Sequence, residues 1–394
     1  MNKKDIAHIR KQFKRENDLL HISEIFNVYI MKESSEIYHQ VSRPFSILDQ
    51  DEQELFLANF KKVLTGSLDE KLFELKFQAD LEDSSQLILH QALLANEGGH
   101  WQEQMLKLVE KMLNEREYDM DIVVTFIKGD YLKPIKKRND ETEESDRDAV
   151  YSHNFILCTI NKTQDPKKEL LFDYVEKQFK YNVIVDPIIN LKAPIGGFLF
   201  PCFIDQASDV NHILYSAPKA NEPDPDFIND VLNAEESTTA QEDKIIFEEI
   251  VRDAVGHQLN TSTLANVYQE VHRIVEENEA EDDTPKLDYK DVEQVLKHSG
   301  IETVDHEKLQ TAFQNVVDND QYELKAKHIV PKYNSKSIKI NTKVANVAVS
   351  PEDLRFVKQI HFSGKRYLMI EVEEDTVIDG FTMIPEVFGE KSED

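Results

Sequence analysis

Four strand-sized apolar segments follow one another in the middle of the chain, and they constrain its fold more than any other feature. Their sequences are NFILCTI, NVIVDPII, GFLFPCFI and DVNHILYS. Each is rich in aromatic and β-branched residues and lies next to Asn, Asp, Gly or Pro, which is the pattern of strands separated by turns. The sequence therefore predicts a β-rich central domain at residues 150–236.

The regions on either side of this centre predict helices as well as strands. Residues 1–138 combine helical spacing of Ile6, Ile9 and Phe13 with the alternating segment LFELKFQA, which indicates a mixed α/β domain. The run NDETEESDRD contains no large apolar residue and predicts an acidic linker at 139–149. Helical spacing returns at 237–320, and short β segments at 321–394 predict a small C-terminal β unit. The expected fold class is α+β, with several domains.

Charge and cysteine content narrow the class of protein. The chain has 75 acidic and 46 basic residues in 394, a formal net charge of −29, which repels nucleic acid and anionic lipid and disfavours DNA as a partner. Two cysteines, no apolar run of roughly 20 residues and a charged start predict a soluble cytoplasmic protein that does not enter a membrane.

The first helix differs in charge from the rest of the chain. Residues 1–15 contain six basic residues and one acidic residue, and the basic side chains fall in an arc of roughly 140° on a helical wheel. They are Lys3, Lys4, Arg10, Lys11, Lys14 and Arg15. This arc predicts either a docking surface for an acidic partner or RNA phosphates, or a helix face that pairs with the chain's own carboxylates.

The segment PIGGFLFPCFID suggests a loop site at first sight, but its chemistry favours packing. Gly196 and Gly197 lack the lysine and third glycine of the common phosphate-binding loops, so we expect a tight turn that leads into a strand. Cys202 has apolar neighbours that favour a packed thiol over a nucleophile. Pro201 predicts an edge strand or a bulge, because proline cannot donate to a β-ladder.

Asp205, Asp209 and His212 form the best candidate catalytic group, with Tyr215 close by. Carboxylates and an imidazole can perform acid–base chemistry or bind a metal ion. The alternative is a polar turn, since Asp, Ser and Asn satisfy turn backbones locally. Their spacing matches no metal-ligand signature, so the sequence predicts no metal site and no cofactor.

The stretch GGFLFPCFIDQASDVNHILYS resembles the signature of a bacterial family, common in Firmicutes, called domain-of-unknown-function family 4317. MNKKDIAHIRKQF, NFILCTI and RYLMIEVEEDTVIDG are similar to it as well, so the resemblance covers nearly the whole chain. The signature positions are Gly196, Gly197, Phe198, Phe200, Pro201, Phe203, Asp205, Leu214 and Tyr215. Gln206 stands where the family often has Arg. The resemblance implies a cytoplasmic bacterial protein and supplies no activity.

The absence of a complete catalytic motif favours a non-catalytic interaction or regulatory protein with a macromolecular partner. Such a protein would use its acidic body, the basic first helix and a β edge around residues 196–204. One alternative is an RNA- or ribosome-associated factor that docks through the first helix. Another is a hydrolytic or metal-assisted enzyme centred on Asp205, Asp209 and His212. Pathway, partner and oligomeric state stay open at this level.

Overall fold

A computed structural model describes residues 1–79, 81–95, 99–114, 118–134, 150–165, 168–183, 186–204, 207–256, 259–278, 285–330, 333–378 and 381–384. The chain has the predicted α+β class. It divides into two units, Met1–Thr239 and Ala240–Asp394.

An antiparallel sheet organises the first unit. The strands of this unit are β1 (Leu20–Met31), β2 (Glu36–Pro44), β3 (Leu72–Lys76), β4 (Ile122–Pro134), β5 (Val150–Gln164), β6 (Lys168–Asp173), β7 (Gln178–Val183), β8 (Ile188–Ile189), β9 (Gly196–Phe200), β10 (Cys202–Ile204), β11 (Ala207–Asp209) and β12 (His212–Ser216). The order across the sheet is β2-β1-β4-β5-β9-β12-β3, and β8 pairs with the end of β5. The hairpins β6–β7 and β10–β11 pair separately.

Helices cover both faces of this sheet. They are α1 (Lys3–Gln12), α2 (Gln50–Val63), α3 (Ser85–Leu94) and α4 (His100–Leu113), with a 3₁₀ turn at Phe45–Ile47 and a π-helix at Phe227–Leu232. Strand β5 shows the arrangement: Ile156 and Cys158 pack towards α3 and α4, whereas Phe155 and Leu157 pack towards α1 and α2. Because both faces are buried here, the middle of β5 carries an uninterrupted apolar run, Phe155–Cys158, in place of an alternating pattern.

The division of the chain differs from the one predicted from the sequence. Residues 139–149 lie outside the described residues, but β4 and β5 on either side of them pair along their length, from Ile122 with Lys162 to Pro134 with Val150. The proposed domains 1–138 and 150–236 therefore share one sheet, and the boundary inside this part of the chain was wrong. A polar run between two long apolar strands marks a hairpin connection as readily as a linker.

The second unit has its own helical core. It contains α5 (Ala240–Val255), α6 (Thr261–Glu277), α7 (Tyr289–His298), α8 (His306–Val317), α9 (Ala326–Ile329) and a 3₁₀ turn at Leu354–Phe356. Its strands form hairpins or short pairs: β13 (Lys286–Leu287), β14 (Leu324–Lys325), β15 (Ile338–Asn341), β16 (Asn346–Val349), β17 (Val357–Phe362), β18 (Lys365–Ile370), β19 (Val377–Ile378) and β20 (Phe381–Thr382). Leu324, Ile329 and Leu354 share the core of α5–α8, so the segments predicted as 237–320 and 321–394 pack together.

In the described part of the chain, no helix is long and apolar enough to cross a bilayer.

Candidate functional site

Helix α1 begins at a regular cap and buries the predicted apolar stripe. The Asp5 backbone N–H donates a hydrogen bond to Asn2 Oδ1 at 2.9 Å, which satisfies one of the free donors at the helix start. Ile6, Ile9 and Phe13 are buried in the core beneath α2. The rings of Phe60 and Phe155 lie 5.9 and 6.1 Å from that of Phe13, both edge-on. The stripe thus fixes which side of α1 meets the sheet.

Polar contacts beside this stripe fix the rotation of α1 further. Lys133 Nζ lies 2.9 Å from Asp5 Oδ1, and His8 Nδ1 lies 2.5 Å from the Tyr131 hydroxyl. Burial, together with the nearby Asp5 carboxylate, raises the pKa of Tyr131 to about 12. The phenol therefore stays protonated at neutral pH and can donate its hydrogen bond to His8.

The opposite side of α1 carries exposed lysines, which we call the basic face: Lys3, Lys4, Lys11 and Lys14. Within the described residues none of these four side chains forms an ion pair. Arg10 is half-buried and its Nη1 donates to the Leu64 carbonyl at 3.5 Å, while Arg15 lies 3.9 Å from Glu54. Of the six predicted cations, these two arginines contact their own unit and the four lysines remain in solvent.

A buried histidine that sequence reasoning missed lies near the base of α1. His153 on β5 is 2% exposed, and its ring stacks on Tyr131 and lies 4.8 Å from the ring of Phe203. His153 Nδ1 is 2.9 Å from Ser208 Oγ on β11, whereas Nε2 has no hydrogen-bond partner among the described residues. Burial, and secondarily the charge of Lys133, lowers the pKa of His153 below its usual value, so its ring is neutral at pH 7.

The side chains of Ser208 and His153 are placed like a serine nucleophile and its general base, which are two of the three groups of a catalytic triad. A neutral imidazole can accept the proton of a serine hydroxyl at this distance. In a complete triad, a third group orients the other ring nitrogen. Here His153 Nε2 has no such partner among the described residues, and the Asp5 carboxylate, whose charge acts on this ring, pairs with Lys133. No sequence motif marks His153 and Ser208, because 55 positions separate them and only the pairing of β5 and the folding of the β10–β11 hairpin bring them together.

The predicted catalytic group is only partly assembled in the described structure. Asp205 and Gln206 lie outside the described residues. Asp209 Oδ2 is 2.5 Å from His212 Nδ1, and Asp209 Oδ1 accepts the Asn211 backbone N–H at 2.9 Å. Both oxygens of the Asp209 carboxylate thus bind partners within the four residues 209–212. Tyr215 lies in the core towards α3 and α4, on the other face of β12 from His212, because side chains alternate along a strand.

No cluster of three or more His, Cys, Asp or Glu side chains suited to a metal ion occurs among the described residues. Both cysteines, Cys158 and Cys202, are free and buried. Burial raises the pKa of each thiol well above its usual value. A buried, protonated thiol is a poor nucleophile, which agrees with the packing role predicted for Cys202.

Strand β9 of the signature segment lies in the interior of the sheet, which corrects two expectations for residues 196–200. Strand β9 is buried along its whole length between β5 and β12, so it is not an edge. Gly196 and Gly197 are strand residues and do not form a turn. Gly197 is needed because a Cβ atom there would lie 2.2 Å from the Cys158 carbonyl oxygen. Pro201 follows a cis peptide bond and lies between β9 and β10. At this position the backbone needs no N–H group for strand pairing, so a proline is tolerated.

A polar groove of about 540 Å³ lies on α6 in the second unit. Its charged side chains pair with one another: Arg273 Nη2 lies 2.6 Å from Glu270 Oε1, and His298 Nδ1 lies 3.0 Å from the same oxygen. The hydrogen bond from Arg273 is the main cause that lowers the pKa of Glu270 to about 2. The ring of His272 stacks on Tyr333 at 4.0 Å. Arg273, Glu270 and His298 are therefore already paired with one another, and the groove offers none of these three charges to a ligand.

The first unit of this α+β chain is thus an antiparallel sheet covered by helices on both faces, and its first helix carries a basic face although the chain has a net charge of −29. The chain belongs to the family named domain of unknown function (DUF4317), whose model matches residues 1–381. The resemblance drawn from the signature residues is thereby confirmed. No curated protein matches the chain.

Proposed function

We propose that this chain is a cytoplasmic, non-catalytic interaction protein with a regulatory role, and that an acidic protein surface binds the basic face of α1. The observation that carries the proposal is that Lys3, Lys4, Lys11 and Lys14 are exposed and unpaired within the described residues, in a chain of net charge −29.

The position of the helix explains why these charges are available. The buried stripe, the Asp5–Lys133 ion pair and the His8–Tyr131 hydrogen bond hold α1 in one orientation. The lysines therefore stay in solvent although carboxylates are abundant elsewhere in the chain. A fixed cluster of cations binds an acidic partner with less loss of conformational entropy than a mobile one, and charge complementarity also gives specificity and a faster encounter.

The test uses this protein as bait to capture partners from a lysate of its native cells. A second bait is a variant in which all four lysines are changed to Glu. The matched control changes four exposed lysines of the second unit, Lys336, Lys339, Lys343 and Lys358, to Glu, which alters net charge by the same amount. We expect a reproducible acidic partner that the control still captures and the basic-face variant does not. Equal capture by both variants contradicts the proposal.

An RNA- or ribosome-associated role is the alternative that uses the same lysines. Phosphate contacts release counterions, so such binding weakens steeply as salt rises from roughly 50 to 200 mM. Nuclease treatment of the lysate distinguishes the two classes. Capture that disappears after ribonuclease treatment assigns the basic face to RNA, and capture that persists assigns it to a protein.

A hydrolytic role is the second alternative, supported by the Ser208–His153 hydrogen bond next to the Asp209–His212 contact. A serine-directed phosphonate probe tests it. Labelling at Ser208 that the Ser208→Ala variant abolishes supports the enzyme, and an unlabelled Ser208 removes this support.

A further inference from the structure

The hairpin β6–β7 exposes an unusual amount of apolar surface. Register pairs Leu170 with Tyr181 and Phe172 with Phe179, so these four side chains share one face. The Tyr174 ring extends that face and lies 5.2 Å from the ring of Phe172. The exposed fractions of these five residues range from 44% at Phe172 to 85% at Tyr174. We call this surface the aromatic strip.

The other face of the hairpin is polar apart from Leu171, which is 46% exposed. Lys180 Nζ lies 2.7 Å from Asp173 Oδ2 and 2.9 Å from Glu176 Oε2. Leu171, the register partner of Lys180, is on this face. The hairpin is therefore amphipathic, and in the described structure β6 and β7 pair only with each other. An isolated two-stranded hairpin is marginally stable in water unless a further layer packs on its apolar face.

The segment that carries the aromatic strip differs in net charge from the rest of the chain. Residues 168–183 contain three basic and three acidic residues and are therefore neutral, whereas the whole chain carries −29. Two copies of so acidic a chain repel each other through their acidic surfaces, and this repulsion is weak where the local charge is low. A basic partner would be attracted to the acidic remainder of the surface and not to a neutral apolar strip. The neutral strip is thus a surface through which a second copy can approach without charge repulsion.

The size of the strip also fits a second copy. Full burial of an aromatic side chain removes roughly 150–250 Å² from water, so covering the exposed parts of the five side chains removes about 600 Å² per copy. Two strips in contact would bury about 1,200 Å² in total, which reaches the lower end of specific interfaces. A patch that meets its own copy has equal area on both sides, so no apolar surface is left uncovered.

We propose that two copies of this chain associate through their aromatic strips. The hairpins pack face to face around a two-fold axis, with the Phe172–Phe179 pairs of both copies at the centre. The result is a small four-stranded β-sandwich that gives each hairpin the second layer it lacks. This dimer is independent of the basic face of α1.

Sedimentation equilibrium of the full chain at micromolar concentration tests the dimer. We expect twice the chain mass of 45.7 kDa for the unmodified protein. The double variant Phe172→Asp/Phe179→Asp should be monomeric, with a dissociation constant raised at least about 30-fold. Leu171→Asp, on the polar face of the same hairpin, should remain dimeric. If the double variant does not fold, Tyr181→Lys, which keeps the two phenylalanines, replaces it with the same expectation.

The dependence of the dimer's dissociation constant on salt concentration provides a second measurement. Because screening relieves repulsion between acidic copies, the dimer should tighten as salt rises, whereas capture through the basic face should weaken. A monomeric unmodified chain, or a double variant that stays dimeric, overturns the proposal. So does a chain that is monomeric but binds a different protein or a neutral lipid vesicle through the aromatic strip.

Discussion

At the scale of single residues, Gly197 shows how closely the central strands approach. A methyl group at this position would meet the Cys158 carbonyl oxygen at 2.2 Å and Val63 Cγ1 at 3.1 Å. The adjacent Gly196 has much more room, because the nearest atom to its Cβ position is 3.7 Å away. The two glycines look equivalent in the sequence but differ in the space around them.

We therefore expect Gly197→Ala to lower the free energy of unfolding by about 2–3 kcal/mol, because the carbonyl belongs to the neighbouring strand and the sheet must shift to admit the methyl group. Gly196→Ala should change it by less than about 1 kcal/mol. Urea denaturation followed by circular dichroism measures both. Similar losses for the two variants would show that strand propensity, and not the close approach, sets the cost.

His153 gives a pH-dependent prediction at the same scale. Its pKa in the folded state is lowered, so the unfolded chain binds the proton more readily. Stability is then full above the ordinary pKa of about 6.5 and decreases as the pH falls below it. His153→Phe preserves the ring packing with Phe203 and removes the titration. We expect it to be less stable than the unmodified protein at pH 7 by about 1–3 kcal/mol, because the larger ring must fit a buried site, and to lose less stability between pH 7 and pH 5.

Thermal unfolding at several pH values measures this difference. His39→Phe, at an exposed position of β2, is the control and should leave the pH dependence unchanged. An unaltered acid loss in His153→Phe would mean that other groups cause it.

At the scale of elements, α1 shows how much a local pattern can predict. The spacing of Ile6, Ile9 and Phe13 predicted both the helix and its buried side, because 3.6 residues per turn place these positions on one face. The same wheel grouped six basic residues in one arc but left open whether they are exposed or paired; the structure leaves the four lysines exposed, while Arg10 and Arg15 contact their own unit. What the wheel could not indicate is that Asp5 and His8 contact Lys133 and Tyr131 on β4, because these partners lie more than a hundred positions away.

Phe13 tests whether α1 is held by its apolar stripe. The side chain is fully buried against Phe60 and Phe155. Phe13→Ala should cost about 3–5 kcal/mol, since it removes a large buried ring and leaves a cavity. Lys14→Ala, one position further on and exposed, should cost less than about 0.5 kcal/mol. Guanidinium denaturation of both variants provides the comparison, and a cost below about 1 kcal/mol for Phe13→Ala would show that α1 is not integral to the core.

The signature strand shows where a local pattern misleads. Pro201 indicated an edge or a bulge, yet β9 is an interior strand; the proline follows its last residue, and β10 beyond it pairs only with β11 among the described strands. The adjacent glycines suggested a turn, yet they lie within β9. Glycine and proline restrict the backbone in several ways that only the neighbouring strands distinguish.

At the scale of the whole molecule, the core residues predict which fragments fold. Every residue of the two cores around the sheet lies before residue 240, and every residue of the helical core lies after it. Residues 1–239 expressed alone should give a cooperative thermal transition and dispersed amide NMR signals. Residues 1–138 alone should not, because the cut separates β4 from β5 at the centre of the sheet. A folded 1–138 fragment would contradict the single-sheet arrangement.

The amino-acid sequence by itself determined the α+β class, the apolar strands of the centre, the amphipathic first helix and the family, because these depend on periodicities and residue types within short windows. Tertiary structure alone decided that β4 and β5 are neighbours, that Gly196–Phe200 is central, that His153 meets Ser208 and that the β6–β7 hairpin exposes its aromatic strip. These contacts depend on which distant segments pair. Which segments pair depends on the apolar area that the complete sheet buries on both faces, and this area cannot be read from any short stretch of sequence.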